Sequence, residues 1–300
     1  MCGIVGYVGS RQATPIVFEG LKRLEYRGYD SAGIAVVQDG QIAIRRQAGK
    51  LTGLGEVLAE QPVSGQIGLG HTRWATHGAP SQANAHPHVD CTHRVVVIQN
   101  GIVENYRPLR RQLKAQGHTL RSETDTEVIV HLVEAHLAEG HDLAEAVRLT
   151  LHQIEGAHAI AVLSSLAPDR LVVARLGNAG GVTVGVGRDE MFVASDIPAI
   201  LEHTQEMIHL DSGEMAVITA GGARFFDLAG DPLEKAAHTV PWDPVSAVKG
   251  ENRHFMQKEI YEQAEAIAHT IGGRVDLEQG QICLEELNLS APEAREIDKI

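Results

Sequence analysis

Cys2 is the residue whose type and position suggest chemistry most directly. Removal of Met1 would leave Cys2 carrying the free amino group of the chain. A thiol attacks as its thiolate and needs a proton acceptor, and an α-amino group with a pKa of roughly 7.7 to 8.0 can fill that role near neutral pH. Cys2 is therefore predicted to be a nucleophile with its own base. The alternative, an ordinary small residue after Met1, stays open on this stretch alone.

Asn100 and Gly101 form a second group with chemical potential. The side-chain amide of Asn100 and the backbone N–H of Gly101 are adjacent donors, which suits an oxyanion hole for a tetrahedral intermediate. Together with Cys2, they predict attack of a thiolate on a side-chain carboxamide. An Asn-Gly turn without catalytic function is the alternative.

Arg73 and Asp125 have the charges that an amino acid substrate requires. Arg73 can bind a carboxylate through two parallel hydrogen bonds, and Asp125 can accept from an ammonium group. The alternatives are a surface salt bridge for Arg73 and a helix N-cap for Asp125, which follows Ser122 at the start of a predicted helix.

The elements that must position these residues follow from apolar patterns. Strands are predicted at residues 4–8, 33–37, 42–47, 67–70, 95–98, 158–163, 171–174, 182–186, 191–194, 214–219 and 224–227. The first helix is predicted to run from the N-cap Thr14 and from Pro15 towards Gly28. Further helices are predicted at residues 51–58, 108–116, 126–138, 143–154 and 254–271. Helices lie between runs of strands, so the pattern predicts a layered α+β fold. The glycine-rich segments 177–181 and 185–187 lack the lysine and the spacing of a phosphate loop and are interpreted as turns between strands.

Composition narrows the class of protein. A chain of 300 residues with 43% apolar residues can build one large domain and a smaller piece. The net charge of −13 argues against nucleic acid, and the absence of a long apolar run argues against a membrane span. Three scattered cysteines and no secretory signal predict a cytoplasmic protein without a disulfide framework.

Sixteen histidines raise the possibility of a metal site, especially in the segment that holds His71, His77, His86 and His88. These four do not have the spacing of a known coordination motif, so the sequence predicts no metal. No cofactor is predicted either.

The C-terminal part of the sequence differs from the rest. Residues 235–252 contain Pro241, Asp243-Pro244 and Gly250 and are predicted to be a linker. The helix that follows carries Met256, Ile260, Ala264 and Ile267 on one face. We therefore expect a domain over 1–234, a linker over 235–252 and the truncated start of a second domain over 253–300.

Six blocks of this sequence resemble those of the class II glutamine amidotransferases, which belong to the N-terminal-nucleophile hydrolases. The blocks are residues 2–6 (CGIVG), 24–33 (LEYRGYDSAG), 71–78 (HTRWATHG), 84–88 (NAHPH), 100–105 (NGIVEN) and 122–127 (SETDTE). The resemblance spans nearly the whole chain and is strongest to the members that use fructose 6-phosphate as the ammonia acceptor. Residues 255–263 (FMQKEIYEQ) resemble the start of the sugar isomerase domain of those members.

The resemblance implies a four-layer αββα sandwich and a glutaminase reaction without a cofactor. By that resemblance Cys2 forms the glutamyl thioester, and Asn100 and Gly101 form the oxyanion hole. The residues expected to hold glutamine are Arg73, Trp74, Thr76, His77 and Asp125, with Arg27 in a supporting role. Fructose 6-phosphate would be used only with the missing isomerase domain, and the full-length enzyme would be a homodimer.

Two departures from the family pattern and three rival functions remain. Gln99 stands where the family leads us to expect His, and the isomerase domain is almost entirely missing. The rivals are an amidotransferase for another acceptor, a glutamine-binding regulatory module without catalysis, and a structural interaction domain. The second rival would not need Cys2 or Asn100, and the third leaves the polar strand ends without a purpose.

Overall fold

The structure, a computed structural model, divides the chain into two compact units, Met1–Ala247 and Val248–Ile300. It describes residues 2–241, 252, 255–276, 280–282 and 295–296. Among these residues, no helix combines the length and the apolar composition that a membrane span requires.

Two antiparallel sheets make up the first unit. The eight-stranded sheet has the spatial order β15 (His238–Thr239), β11 (Glu206–His209), β9 (Thr183–Val186), β10 (Met191–Ala194), β1 (Gly3–Val8), β4 (Ile67–Arg73), β2 (Ser31–Gln38) and β3 (Gln41–Ala48). The seven-stranded sheet has the order β14 (Pro232–Leu233), β13 (Gly222–Asp227), β12 (Glu214–Thr219), β8 (Ala167–Leu176), β7 (His158–Ser164), β6 (Val95–Gly101) and β5 (His88–Val89). β1 and β6 are both interior strands, so the residues at their ends are well anchored.

Helices cover the outer face of each sheet. Their bounds are α1 (Ala13–Leu24), α2 (Leu51–Glu60), α3 (Tyr106–Ala115), α4 (Glu127–Ala138) and α5 (Leu143–Leu151), with short 3₁₀ helices at Glu25–Arg27 and Ile197–Ala199. A further helix, α6 (Phe255–Ile271), belongs to the second unit. One core cluster joins α1 and α2 to the first sheet, a second joins α3 to α5 to the other sheet, and a third lies between the sheets. The order of layers is therefore αββα, and the predicted sandwich is confirmed.

Strand β1 shows why the apolar run after Cys2 is nearly continuous. Ile4 and Val8 belong to the core between the sheets, whereas Val5 and Tyr7 belong to the core under α1. Because successive side chains of a strand point to opposite faces, β1 is buried on both sides. Each such large apolar side chain contributes about 1.5–3 kcal/mol on burial, so the strand is held firmly in place.

Local details of two helices differ from the sequence prediction. Thr14 is not the N-cap of α1, because the helix begins at Ala13 after Gln12, and Thr14 Oγ1 instead donates to Val63 O at 2.7 Å. Asp125 is not the cap of α4 either, since the N-cap position is Thr126. In both cases a partner distant in sequence competes with the local cap.

The short strands β5, β11, β14 and β15 were not predicted, because two to four residues carry too little periodicity. β15 also moves the start of the predicted linker. His238–Thr239 pair with β11, and Lys235 binds Asp211 and Glu214, so residues 235–241 belong to the first unit. The linker predicted from residue 235 therefore starts too early, and most of the remainder lies outside the described residues.

The second unit contains α6 and the short hairpin of β16 (Val275–Asp276) and β17 (Gln281–Ile282). The predicted helix is present, although His254 lies outside the described residues. Its apolar face is exposed, with exposed side chains at Met256, Ile260 and Ile267.

Candidate functional site

The site lies at one end of the space between the two sheets, where strands β1, β4 and β6 begin or end. Strand alternation places Cys2 in the same inward row as Ile4, and Asn100 in the same row as Ile98 on the facing sheet. On β4, His71 and Arg73 continue the inward row of Leu69, and His71 pairs in register with Ile4. Polar residues at the ends of three apolar rows thus converge.

Cys2 is held through backbone and side chain. The Trp74 N–H donates to Cys2 Sγ at 3.2 Å, and Asn100 Nδ2 donates to the Cys2 carbonyl at 3.1 Å. The next part of the strand is fixed by Ser195, whose Oγ accepts from the Ile4 N–H at 3.0 Å. Burial raises the pKa of the Cys2 thiol, although the Trp74 N–H and the charge of Arg73 act in the opposite direction. A base is therefore needed to generate the thiolate.

His71 orients the amide of Asn100. Its Nε2 lies 3.1 Å from Asn100 Oδ1 and 3.0 Å from Gln99 O, and both of these atoms are acceptors, so Nε2 must carry the proton. Complete burial lowers the pKa of His71 to about 3. A neutral imidazole consequently holds the Asn100 oxygen and leaves the NH₂ group facing Cys2.

Gly101 can only be glycine at this position. Its φ is 112°, and a Cβ would lie 2.0 Å from Ala157 O. The turn that contains Gly180 lies against the same pair of residues, since a Cβ on Gly180 would be 3.6 Å from Asn100 Nδ2. Residues 177–181 therefore form an irregular turn, as predicted, and they also form a wall of the site, whereas Gly185 lies within strand β9.

Arg73 is a buried cation with an unused donor. Only 4% of the residue is exposed, and its Nη2 donates to the carbonyls of His77 and Gly78. Its Nη1 is buried without a hydrogen-bond partner among the described residues. Burial lowers the pKa of Arg73, while the charges of Cys2, Asp125 and Asp30 raise it. Since guanidinium remains charged in proteins, Nη1 favours an anionic ligand.

Asp125 is positioned by the opposite sheet. Its Oδ2 accepts from the Val103 N–H at 2.7 Å, just after β6, and its Oδ1 is 3.8 Å from His77 Nδ1. The ring of His77 packs edge-to-face on Tyr106 with centroids 5.3 Å apart. Arg73 and Asp125 interact electrostatically, so a cation and an anion face the same site without a direct salt bridge.

The segment after Arg73 forms a rim beside Cys2. Asp30 Oδ2 accepts from the Ala75 N–H at 2.8 Å and supports this segment from below. Trp74 is 45% exposed and packs edge-to-face on Tyr29, and Thr76 is also exposed. An exposed aromatic pair therefore lies next to the Cys2 thiol.

Arg27 lies beside the site and is already paired. It binds Asp196, which also accepts from Tyr26 Oη at 2.9 Å. Arg27 and Asp196 line a cleft of about 370 Å³ together with Ser195 and Gly180. Gly180 places this cleft beside Asn100, and Ser195 joins it to Ile4 of strand β1. The supporting role of Arg27 stays a prediction.

The side chain of Gln99 points away from Cys2. In the alternation of β6 it lies on the face covered by α4, where its carboxamide contacts His158 Nδ1 at 2.9 Å and Thr126 Oγ1 at 2.5 Å. Gln99 in place of the expected His therefore changes contacts in the helix layer, and the partners of Asn100 are unaffected.

Comparisons with known proteins identify the family. Residues 43–224, more than half of the chain, match the family described as the glutamine amidotransferase domain. The chain belongs to this family.

Curated relatives extend the similarity over the whole chain. The glutamine--fructose-6-phosphate aminotransferase [isomerizing] of Symbiobacterium thermophilum is 46% identical over 300 residues, which is 100% of this chain and 49% of the relative. The protein of the same name from Pyrococcus horikoshii is 47% identical over 276 residues, which is 92% of this chain and 46% of the relative. The chain thus spans about half the length of the curated relatives it matches.

A solved structure supports the fold independently. The glutamine phosphoribosylpyrophosphate amidotransferase from B. subtilis, complexed with ADP and GMP, superposes with a TM-score of 0.66 at 26% identity. The match covers 76% of this chain and 49% of that chain.

This glutamine amidotransferase domain brings most of its predicted site residues to one place. Cys2 is hydrogen-bonded to Trp74 and Asn100, and Arg73 interacts with Cys2 and Asp125 through its charge. Asp125 also lies close to His77. Thr76 lies in the same rim, whereas Arg27 occupies the adjoining cleft.

Sequence reasoning missed four residues that support the site. It considered His71 only as a metal ligand, and it assigned no function to Asp30, Ser195 or Asp196. The available signal was position, because Asp30 and Ser195 flank strands that pair with β4 or β1. Their partners become evident only in the folded sandwich.

Proposed function

We propose that this chain hydrolyses the side-chain amide of L-glutamine to glutamate and ammonia. The observation that carries the proposal is the arrangement at Cys2, where the oriented carboxamide of Asn100 donates to the Cys2 carbonyl and the charge of Arg73, which has an unpartnered guanidinium nitrogen, acts on the thiol. A nucleophile, an oxyanion donor and an anion-binding group are the parts that this reaction requires.

The proposed reaction has two steps. After Met1 is removed, the Cys2 amino group accepts the thiol proton, and Sγ attacks the amide carbon of glutamine. Asn100 Nδ2 and the Gly101 N–H stabilise the oxyanion, and the amine leaves as ammonia with the proton from the amino group. Water then attacks the thioester with the same base, which releases glutamate and restores the thiol.

Glutamine recognition rests on complementary charges. Arg73 Nη1 would bind the α-carboxylate, and Asp125 would accept from the α-ammonium group. His77 and Thr76 would contact the substrate from the rim, and Trp74 would close over it. Arg27 would act indirectly, through the wall of the adjoining cleft.

We propose further that the complete protein transfers this ammonia to fructose 6-phosphate and forms glucosamine 6-phosphate. The support is the name shared by relatives at about 46% identity, and the similarity extends through α6. On the same basis, we propose residues 253–300 as the start of a sugar isomerase domain, the full-length protein as a cytoplasmic homodimer, and no cofactor for the glutaminase step.

The test is glutamate release from glutamine by the purified chain, after intact mass has shown that Met1 is absent. We expect steady release of equal amounts of glutamate and ammonia, and none from Cys2→Ala. A folded, processed chain that binds glutamine but releases no glutamate would contradict catalysis and favour a binding module.

A separate experiment tests the acceptor. The full-length protein, supplied with glutamine and fructose 6-phosphate, should form glucosamine 6-phosphate. Glutamate release that is unchanged by fructose 6-phosphate, with no amino sugar formed, would refute the acceptor and leave the glutaminase proposal intact.

A further inference from the structure

A cluster of four metal-binding side chains lies in the helix layer, apart from the residues assigned to glutamine. Its members are Cys91, His118, His131 and Glu134, whose ligand atoms all lie within 4.8 Å of one another. We propose that they form a structural site for Zn²⁺ or a closely similar divalent transition metal ion. We call these four residues the Cys91 cluster.

The sulfur–nitrogen distances are close to those of a tetrahedral site, and the oxygen–nitrogen distances are shorter, as in hydrogen bonds. With ordinary zinc bond lengths, ligand atoms lie about 3.4 Å apart for nitrogen and oxygen and about 3.6 Å apart for sulfur and nitrogen. Cys91 Sγ is 3.6 Å from His131 Nδ1 and 3.9 Å from His118 Nδ1. Glu134 Oε2 is 2.8 Å from His118 Nδ1 and 2.9 Å from His131 Nδ1. Small rotations of the two imidazoles would therefore admit an ion at the centre.

The chemistry of the donors favours zinc over calcium or magnesium. Thiolate and imidazole ligands are typical of zinc, whereas calcium and magnesium prefer oxygen ligands. A thiolate and a carboxylate together carry two negative charges, which balance a divalent cation. Four protein ligands without an open position are typical of a structural site rather than a catalytic one.

The surroundings hold the ligands in place. The Thr119 N–H donates to Cys91 Sγ at 3.3 Å, a contact that stabilises a thiolate ligand. Asp90, beside Cys91, accepts from the backbone of Arg94 and Val95 and so fixes the turn. The exposed fractions of the side chains are 14% for His118, 12% for Glu134 and 1% for His131, so the cluster is largely shielded but still reachable from solvent at His118 and Glu134.

A site without metal explains fewer of these contacts. Without an ion, hydrogen bonds from the two imidazoles and from Cys91 account for Glu134, but they do not use the contacts of Cys91 Sγ with both imidazoles. A bound ion uses all four groups at once. It would join three segments, namely the turn before β6, the segment after α3, and α4, which follows directly after Asp125.

The experiment is a titration of the chain with Co²⁺, a spectroscopic substitute for zinc. We expect one ion per chain, with the visible absorption of tetrahedral cobalt and the near-ultraviolet charge-transfer band of a thiolate ligand. The band should persist in Cys2→Ala/Cys283→Ser, where Cys91 is the remaining thiol, and Zn²⁺ should abolish it by displacement.

Variants assign the ligands. Cys91→Ser should lose the thiolate band, and His118→Gln should weaken binding by more than the roughly 10- to 100-fold typical of a lost outer-shell partner. The matched control is His141→Gln in the exposed group His136, Glu139 and His141, which should bind normally. Circular dichroism must show that each variant is folded, and Zn²⁺ should raise the melting temperature of the parent chain but not of Cys91→Ser.

Two results would overturn the proposal. A thiolate band that persists in folded Cys91→Ser would place the ion at another cysteine. A folded parent chain that binds neither Co²⁺ nor Zn²⁺ would leave the cluster as a hydrogen-bonded group around Glu134.

Discussion

Two groups of histidines in the same sandwich have different polar partners, neutral groups in one and acidic groups in the other. His71, His86 and His88 are fully buried, their rings in contact, with centroids 4.2 and 4.7 Å apart along the row. Their polar partners are an amide, backbone groups and the Thr124 hydroxyl. In the Cys91 cluster, His118 and His131 instead face a carboxylate and a thiol.

The comparison shows that partner chemistry decides what a buried histidine does. Burial lowers the pKa of His71, His86 and His88, so they stay neutral and act as directed donors and acceptors. A carboxylate and a thiol provide charge for a cation, so the histidines beside them suit a metal ion. Residue type alone does not separate these cases.

The largest expected effect tests whether the site next to the buried histidines His71, His86 and His88 contains a nucleophile, Cys2. Cys2→Ala should reduce glutamate release by at least about 10⁴-fold and leave glutamine binding nearly unchanged, because only the attacking atom is lost. The measurements are steady-state release and calorimetric binding of glutamine. Retained activity in this variant would contradict the proposed mechanism.

Stability at mildly acidic pH tests the neutrality of His71, His86 and His88. An unfolded histidine has a pKa of roughly 6.5, whereas His71 in the folded state has about 3. The unfolded chain therefore binds more protons below pH 6.5, and stability falls as pH falls. The slope is about 1.4 kcal/mol per pH unit for each neutral histidine.

Urea unfolding between pH 6.5 and 5 measures this slope. His88→Gln should reduce the slope by about 1.4 kcal/mol per pH unit, the contribution of one histidine. His141→Gln, an exposed control, should leave the slope unchanged. A slope that is identical in His88→Gln and the parent chain would show that His88 titrates normally in the folded state.

His71 is expected to act on turnover rather than on substrate affinity. His71→Leu removes the donor that orients Asn100 and should lower kcat by about 10- to 100-fold with little change in KM. His71→Gln keeps a donor at a similar position and should restore part of kcat. If both variants lose the same activity, the effect is general disruption and not orientation.

Arg73→Lys should act mainly on glutamine affinity. Lysine keeps the charge, but its single nitrogen cannot hold the carbonyls of His77 and Gly78 and also reach the carboxylate as Nη1 would, so KM should rise by about tenfold while kcat changes less. Steady-state kinetics separate the two constants. An unchanged KM would refute the carboxylate-binding role of Arg73.

The smallest effect is expected from the second histidine group. Cys91→Ser should change kcat by less than about twofold at saturating glutamine, because Cys91 contacts no residue assigned to the reaction. The same preparation should lack the stabilisation by Zn²⁺. A large loss of kcat at ambient temperature would mean that the Cys91 cluster acts on the site and would weaken the contrast between the groups.

Much of the local structure could be predicted from the sequence. The alternation in β1 and the helical stripe of α1 are local patterns that bury apolar faces wherever the chain folds. The Asp39-Gly40 turn was also predictable, because this pair of residues favours a two-residue hairpin. The structure has both residues at positive φ, 52° and 74°, as such a hairpin requires. The types and order of the polar residues from Cys2 to Asp125 suggested attack on an amide before any contact was known.

Only the tertiary structure decided which residues meet. His71 orients Asn100, Asp125 binds the Val103 N–H instead of capping α4, and Cys91 faces His131 across 40 positions of sequence. The physical reason is that strand and helix periodicity are local properties, whereas the partner of a polar group depends on sheet register and layer packing. The sequence thus determined the chemical groups available, and the fold determined which of them share a site.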